Sequence, residues 1–367
     1  MAITTLSEPP QVRRFPQFKY IDAVRWLPPV SALQRYAVVA SFDSDSDSSS
    51  IEVQSLSSNP PDLSPQCSWV SPSRVSSLKT AQSHYCPLVV AGTFAGSLHV
   101  LSTGSMDALS FESELSVPEK VIHNGPISCL DLMDGKVECV SVGEDGRVNL
   151  VSIGDSRLNF QRVFDSSGLV SYTAAKWGSP TEFATGGYGF SLQWWDQRKP
   201  GGAVSQFKGS WDQRKTSGIV HSIDIHPSRK HTCLAGGSLG TVFAWDLRWP
   251  QQPIILSGIG AGNTGHSPSE SEVWEVQYDR FAKSSNVGNI SSSRILPAVF
   301  CSEDGILAVV EQGKEPIELL AEPCAINSFD IDQQNPSVSR NSANITLSTV
   351  KVKNSCSLVT CEFVVHV

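Results

Sequence analysis

The chain has 367 residues, of which 40% are hydrophobic and 17% charged, and its formal net charge is −8. A charged fraction below the ~25% of ordinary globular chains favours many short strands over charged helices. The sequence has no block of Lys or Arg and no apolar run of ~20 residues. It therefore argues against nucleic acid and the membrane as partners. The nine cysteines are scattered without a Cys-x-x-Cys pair, which predicts free thiols rather than a zinc site or disulfides.

The beginning of the chain predicts a flexible stretch over residues 1–15 and then a degenerate first repeat. Two apolar runs, residues 36–42 and 51–56, flank an acidic, serine-rich segment at 43–50. Apolar runs separated by polar residues are typical of paired strands joined by a solvated loop. Similar pairs of runs recur along the chain, which indicates an internal repeat.

Glycine marks the turn in the clearer copies of this repeat. Gly96, Gly146, Gly240 and Gly305 each stand immediately before an alternating apolar run. A tight hairpin turn requires a positive φ, which glycine adopts at low cost. The alternation after the turn buries every second side chain between neighbouring sheets.

Two copies match most closely. Residues 183–198 and 233–248 both contain a pair of glycines and a Trp-Asp ending, at Trp195-Asp196 and Trp245-Asp246, fifty residues apart. Repetition at ~40–50 residues is the signature of a propeller blade. Low-complexity segments at 258–271 and 284–293 lengthen the next repeat, and we expect them to be long surface loops.

The repeats predict an all-β chain that forms a single seven-bladed β-propeller over residues 16–367. The segments assigned to the blades are approximately 16–58, 64–104, 109–154, 157–199, 201–250, 252–311 and 316–367. A circular propeller has to close, because an open edge strand invites aggregation. We expect closure by an N-terminal strand, within residues 17–26, that pairs with the last blade.

The conspicuous polar and aromatic residues are predicted to build the blades. Asp145 precedes a turn glycine, where Asp hydrogen-bonds nearby backbone. In WD-type repeats, which these hairpins resemble, that Asp commonly binds a His of the preceding loop, and His123 stands at that place. Tryptophan at the end of a blade strand usually packs between blades. The residues given structural roles in this way are Gly96, His123, Asp145, Gly146, Trp195, Asp196, Gly240, Trp245, Asp246, Asp304 and Gly305. No motif indicates a catalytic residue, cofactor or metal, so none is assigned.

Arg198 and Arg248 differ from these residues. Each follows a Trp-Asp ending and falls just past a strand, on the rim of the predicted propeller. Arginine is well suited to protein contacts, so both are candidate partner contacts, and a solvated or locally paired arginine is the alternative.

The Trp-Asp hairpins resemble those of WD40 β-propellers, and four further motifs narrow the resemblance. Residues 25–29 (RWLPP), 141–150 (SVGEDGRVNL), 272–276 (EVWEV) and 301–305 (CSEDG) occur in this order. Together, from residue 20 to about 310, they resemble the 43-kilodalton WD-repeat nucleoporin family of the nuclear pore's Y-shaped outer-ring complex.

The resemblance implies a non-enzymatic scaffold at the nuclear pore, in the nuclear envelope. Its partners would be other outer-ring nucleoporins, including an α-solenoid subunit of the short arm. It would support pore assembly, mRNA export and protein transport. It implies no small-molecule substrate, no direct contact with nucleic acid and no membrane insertion.

Two other functions are weighed against this one. The Trp-Asp-x-Arg endings also match propellers that serve as substrate receptors of cullin-type ubiquitin ligases, although Gly189 and Leu239 occupy the usual upstream acidic position. An enzyme of propeller architecture would be favoured by a ring of charged side chains at the central channel, of which the sequence shows no sign.

Overall fold

The computed structural model is an all-β propeller built from twenty-eight described strands. It describes residues 11–30, 34–58, 61–83, 86–104, 109–133, 135, 137–189, 191–208, 218–238, 240–247, 254–256, 271–280, 295–332, 342–352 and 355–364. The predicted loops at 258–271 and 284–293 lie outside the described residues, except for residue 271.

After a first strand, β1 (Gln11–Gln17), the chain forms six blades of four consecutive antiparallel strands. Blade 1 comprises β2 (Tyr20–Trp26), β3 (Arg35–Asp43), β4 (Ser48–Ser58) and β5 (Pro61–Ser71). Blade 2 comprises β6 (Val75–Gln82), β7 (Pro87–Thr93), β8 (Leu98–Thr103) and β9 (Phe111–Val117). Blade 3 comprises β10 (Ile127–Leu132), β11 (Glu138–Gly143), β12 (Arg147–Ile153) and β13 (Leu158–Asp165).

The second half of the chain repeats this plan. Blade 4 comprises β14 (Tyr172–Ser179), β15 (Glu182–Gly187), β16 (Ser191–Asp196) and β17 (Ser205–Lys208). Blade 5 comprises β18 (Val220–Ile225), β19 (Thr232–Gly237), β20 (Val242–Asp246) and β21 (Ile254–Ile255). Blade 6 comprises β22 (Val273–Tyr278), β23 (Ala298–Ser302), β24 (Ile306–Val310) and β25 (Ile317–Ala321).

The predicted count of seven blades is wrong: there are six blades, each a sheet of four consecutive strands. Segment 316–367 is not a blade by itself, because its first strand, β25, completes blade 6. The rest of it forms β26 (Ile326–Ile331), β27 (Ser342–Val352) and β28 (Ser355–Val364). These three pair with β1 in a sheet of order β26-β27-β28-β1, which we call the terminal sheet.

The terminal sheet lies between blade 6 and blade 1 and joins the two ends of the chain. Its N-terminal strand is β1, with Arg14 opposite Val359, rather than the predicted 17–26 segment. Residues 20–26 instead form β2, the first strand of blade 1. The predicted flexible stretch, 1–15, is corrected from residue 11 onward, because β1 begins there, and residues 1–10 lie outside the described part.

The first strand of each sheet lies innermost, and all seven of these inner strands share one irregularity. A β-bulge lies near the beginning of each strand, after the first or second paired residue, as between Ile127 and Cys129 in β10. The same shift occurs in β2, β6, β14, β18, β22 and β26. A bulge adds one residue and increases local twist, so every inner strand presents equivalent residues at equivalent places.

The hydrophobic core lies between neighbouring sheets. In one such cluster, Phe183 and Trp195 of blade 4 stack with ring centroids 5.7 Å apart, beside Val142 of blade 3. Where sheets approach most closely, a glycine is required. A Cβ on Gly186 would lie 2.7 Å from Cγ1 of Val220 in the next blade. The paired glycines of the two best repeats thus end a strand, and the first of each pair, Gly186 or Gly236, admits the next blade.

Candidate functional site

The inner strands line a central channel, and each places one polar residue at the same position after its bulge. Most of these residues are charged, and both signs occur. They are Arg25, Lys79, Asp131, Lys176, Asp224, Gln277 and Asp330. We call this set the channel ring. A charged ring at the channel was not expected from the sequence, and that expectation was wrong.

Ion pairs connect the members of the channel ring across blade boundaries. Nζ of Lys176 lies 3.2 Å from Oδ1 of Asp131 and 3.7 Å from Oδ1 of Asp224. Nη2 of Arg25 lies 2.8 Å from Oε1 of Glu275, which precedes the ring position on β22. Each of these cations therefore has a carboxylate partner on another blade.

The three ring aspartates also bind backbone in one repeated geometry. The second carboxylate oxygen of each accepts the N–H of a residue on the neighbouring inner strand. The bonds run from Trp177 N to Asp131 at 2.9 Å, from Tyr278 N to Asp224 at 2.8 Å and from Trp26 N to Asp330 at 2.8 Å. The ring thus holds neighbouring inner strands together where an apolar core would otherwise be expected.

The electrostatics of the ring favour charge pairing over proton transfer. Burial alone would lower the pKa of Lys176, but the carboxylates of Asp131 and Asp224 outweigh it and raise that pKa above its ordinary value. The pKa of Arg25 is raised in the same way, against its burial, chiefly by Glu275. Burial raises the pKa of Asp330, although Arg25 opposes the shift. A nucleophilic lysine requires a lowered pKa, so the environment of Lys176 disfavours that chemistry.

A cavity of about 350 Å³ opens where the inner strands end. Its wall includes the ring residues and, beyond the strands, Leu27, Gly135, Arg280 and Asp332. Both signs of charge face it, and Nη2 of Arg280 lies 4.0 Å from Asp224. Among the described residues, no group of three or more His, Cys, Asp or Glu side chains could hold a metal ion.

The predicted turn residues lie at the opposite end of the channel, where the inner strands begin. We call that end the entry face, and the end that carries the cavity the exit face. Gly96, Gly146, Gly240 and Gly305 have φ values of 85°, 78°, 67° and 83°. Asp304 lies in the last of these turns and accepts a hydrogen bond from Ser302 Oγ.

His123 and Asp145 lie together beside the turn of blade 3. His123 Nδ1 is 2.9 Å from Asp145 Oδ1, and its Nε2 is 2.6 Å from Ser141 Oγ. Burial alone would raise the pKa of Asp145, but hydrogen bonds from His123 and the Asn124 N–H outweigh it and lower that pKa. The arrangement connects the loop between blades 2 and 3 to a turn of blade 3.

The two Trp-Asp endings occupy the blade interior. Trp195 is buried, and its Nε1 donates to Thr185 Oγ1 at 2.9 Å. Trp245 is also buried and packs against Phe243, with ring centroids 5.9 Å apart. The adjacent residues, Asp196 and Asp246, are the last residues of β16 and β20.

Arg198 lies on the exit face, in the connection between β16 and β17. Its side chain is 63% exposed, yet its Nε lies 2.8 Å from Oδ1 of Asp196. This arginine is therefore both exposed and locally paired, and its role as a partner contact stays a prediction. Arg248 and Leu239 lie outside the described residues.

Sequence reasoning missed the channel ring, although a signal for it exists. When the inner strands are aligned on their bulges, the ring residues recur at intervals of 45 to 54 residues. An aspartate between two apolar residues, as the fifth of six strand residues, was visible in β10, β18 and β26. The pairing of opposite charges becomes visible only when the strands lie side by side.

The amino-acid sequence was compared with those of known proteins. No protein-family model matches the chain. It is 60% identical over 340 residues to "Nuclear pore complex protein NUP43" of Arabidopsis thaliana, covering 89% of this chain and 93% of that protein. "Nucleoporin Nup43" of Mus musculus is 27% identical over 197 residues, and its Homo sapiens counterpart 28% over 192 residues. These two matches cover 52% and 50% of this chain and 45% and 44% of the relatives. On the extent and identity of the Arabidopsis match, the chain belongs to the Nup43 family of nucleoporins.

Proposed function

We propose that this protein is a structural subunit of the nuclear pore complex, located at the nuclear envelope. The observation that carries the proposal is the 60% identity to the Arabidopsis nuclear pore protein over 93% of that protein's length. Conservation on that scale extends through all the blades rather than through one motif. A shared fold alone would support only a shared architecture.

Within the pore, the protein is assigned to the Y-shaped outer-ring subcomplex. There it supports pore assembly, mRNA export and protein transport, and it contacts other outer-ring nucleoporins, including the α-solenoid subunit of the short arm. The four ordered motifs between residues 25 and 305 support this assignment, because they resemble the WD-repeat nucleoporin of that subcomplex.

The role is non-enzymatic. Support comes from the channel ring, where six of seven residues are charged. Its cations are paired with carboxylates, and the carboxylates of Asp131, Asp224 and Asp330 also accept backbone hydrogen bonds. Groups committed in this way hold strands together and are poorly placed to exchange protons with a substrate.

Localisation and affinity purification test the proposal. The full chain carrying a fluorescent affinity tag is expressed in Arabidopsis cells, with the tag alone as the control. We expect fluorescence at the nuclear rim and recovery of outer-ring nucleoporins in the purified material. A diffuse cytosolic signal without recovery of any nucleoporin contradicts the proposal. Rim fluorescence with nucleoporins from outside the outer ring would refute only the subcomplex assignment.

A further inference from the structure

Large exposed hydrophobic side chains are concentrated on the entry face. The described part of the chain has eight such residues. Six of them lie in, or at the end of a strand leading into, connections on that face: Phe18, Val70, Phe94, Val121, Leu169 and Tyr188. Phe160 lies instead on the outermost strand of blade 3, and Val204 lies on the exit face. We call the set of six the entry-face arc.

Contacts between loops connect parts of the arc from blade 1 to blade 4. The guanidinium of Arg74 lies 5.0 Å from the ring centroid of Phe42 and 6.0 Å from that of Phe94. The turn after Phe94 touches the loop of Val121, because a Cβ on Gly96 would lie 2.6 Å from the carbonyl oxygen of Gly125.

The far end of the arc is joined in a similar way. The N–H of Tyr188 donates to the carbonyl of Ser171, in the connection that also carries Leu169. Leu169 is 89% exposed and Phe18 is fully exposed, so neither is held in place by the core. Exposed apolar side chains gathered on one face of a protein mark an interaction surface more often than isolated ones do.

The charge around the arc indicates what it binds. Exposed carboxylates lie on the same face at Asp45, Asp47, Glu119 and Glu144. Cations described on this face are mostly paired with carboxylates, as Lys19 is with Glu52 and Arg74 with Asp22. The chain as a whole carries a net charge of −8. An acidic, apolar surface repels a second copy of itself and attracts a basic, apolar partner.

We infer that the entry-face arc is the docking surface for a nucleoporin segment whose apolar side chains are flanked by Lys or Arg. This inference rests on the proposed function, which supplies the class of partner. The apolar side chains supply burial, and the surrounding carboxylates select the basic segment and its orientation. Docking at the entry face leaves the cavity on the exit face open.

Two variants of the full chain test the surface, each with a matched control. The apolar variant combines Phe18→Ser, Phe94→Ser and Leu169→Ser, and its control combines Phe160→Ser and Val204→Ser. The charge variant combines Glu119→Lys and Glu144→Lys. Its control, Asp155→Lys with Glu315→Lys, reverses two exposed carboxylates on the exit face. Thermal unfolding of each purified chain checks that it folds.

Each variant is tagged and expressed in Arabidopsis cells beside the wild type, and the recovered nucleoporins are quantified. For both the apolar and the charge variant, which we call the arc variants, we expect about a tenfold or greater loss of recovery and of rim fluorescence. Truncation of interface anchors produces losses of this size. The controls should retain wild-type recovery. Retention by the arc variants, or equal loss by the controls, overturns the inference while the proposed function stands.

Three further outcomes are decisive. A wild type that recovers no nucleoporin refutes the proposed function itself. Loss on Arg198→Ala without loss in the arc variants moves the contact to the exit face and overturns the inference. Sedimentation of the purified wild type shows whether it self-associates, and a dimer abolished by the arc variants assigns the face to a second copy instead.

Discussion

Single residues of the entry face are constrained by the blade that follows them. Gly96 combines a φ of 85° with the carbonyl oxygen of Gly125 only 2.6 Å from where a Cβ would stand. Gly168 has a φ of 81° but open space around the same position. The two glycines therefore separate the cost of backbone strain from the cost of a steric clash.

Substitution of these glycines by alanine should destabilise the protein unequally. We expect Gly168→Ala to lower the free energy of unfolding by about 1 kcal/mol, the usual penalty of a side chain at positive φ. Gly96→Ala should lower it by about 3 kcal/mol, because the clash adds to that penalty. Chemical denaturation of both variants measures the difference, and equal losses would contradict the inferred contact between the blades.

His226 should make stability depend on pH. The side chain is buried, and its Nδ1 accepts the Ser228 N–H at 3.2 Å, which requires an unprotonated nitrogen. Burial, helped by the charge of Arg229, lowers the pKa of His226 to about 4. In the unfolded chain histidine titrates near pH ~6.5, so between these values only the unfolded state binds the proton.

The contribution of His226 to the free energy of unfolding is fully present above pH ~6.5. It is lost as the pH falls towards 4, and the total loss is about 3 kcal/mol. In His226→Asn, an amide oxygen can still accept the Ser228 N–H but does not titrate. We expect the variant to show a smaller loss of unfolding free energy between pH 6.5 and 4 than the wild type. Parallel pH profiles of the two proteins would refute the assignment. His221, whose pKa burial also lowers, remains in both proteins.

At the scale of the strand, the channel ring replaces apolar packing between inner strands with charge and hydrogen bonds. Neighbouring inner strands converge at the channel, where the ring residue of one strand reaches the backbone or the charged side chains of the next. A carboxylate there can bind both a cation and a backbone N–H of the next strand. Buried charges of this kind are costly to separate, because each partner is left without solvent or counter-ion.

Asp131 allows the two interactions to be measured separately. Asp131→Ala removes the acceptor of the Trp177 N–H and a partner of Lys176. We expect it to lower the free energy of unfolding by about 3–5 kcal/mol. Asp131→Asn keeps an oxygen for the N–H and removes only the charge, so its loss should be clearly smaller. Denaturant unfolding of both variants tests this order. A similar loss in both would mean that the ion pair, rather than the backbone bond, joins blades 3 and 4.

At the scale of the whole molecule, stability depends on joining the two ends of the chain. β1 contributes seven residues to the terminal sheet and pairs with β28 along its length. Arg14 of β1 also contacts Glu322, just beyond blade 6, with Nη2 and Oε1 2.6 Å apart. Without β1, the edge of β28 would present unpaired backbone groups, which promote association between chains.

Two truncations test the role of β1. Removal of residues 1–17 should lower the melting temperature by several degrees, in keeping with loss of one strand pairing, and increase aggregation on heating. Removal of residues 1–10 alone keeps β1 and serves as the control. Light scattering and circular dichroism during heating distinguish them. If both truncated chains behave like the wild type, the terminal sheet does not depend on β1.

Several residues show which features of the fold could be predicted from short stretches of sequence. The turn glycines and the alternating strands were predictable, because φ and side-chain alternation are properties of a few consecutive residues. The placement of His123 beside Asp145 followed from a pattern about twenty residues long. The close approach of Gly186 to Val220 could not be predicted in this way, because Val220 belongs to the next blade.

The sequence by itself determined that this protein is an all-β repeat, where its hairpins turn and which family its motifs resemble, because these properties are local or recur at a fixed period. Tertiary structure alone decided the count of six continuous blades, the joining of β1 to β28, the channel ring and the face that carries the exposed apolar residues. The physical reason is separation along the chain. Each of these features depends on residues from different blades, or from opposite ends of the chain, whose proximity follows only from how the sheets are arranged around the channel.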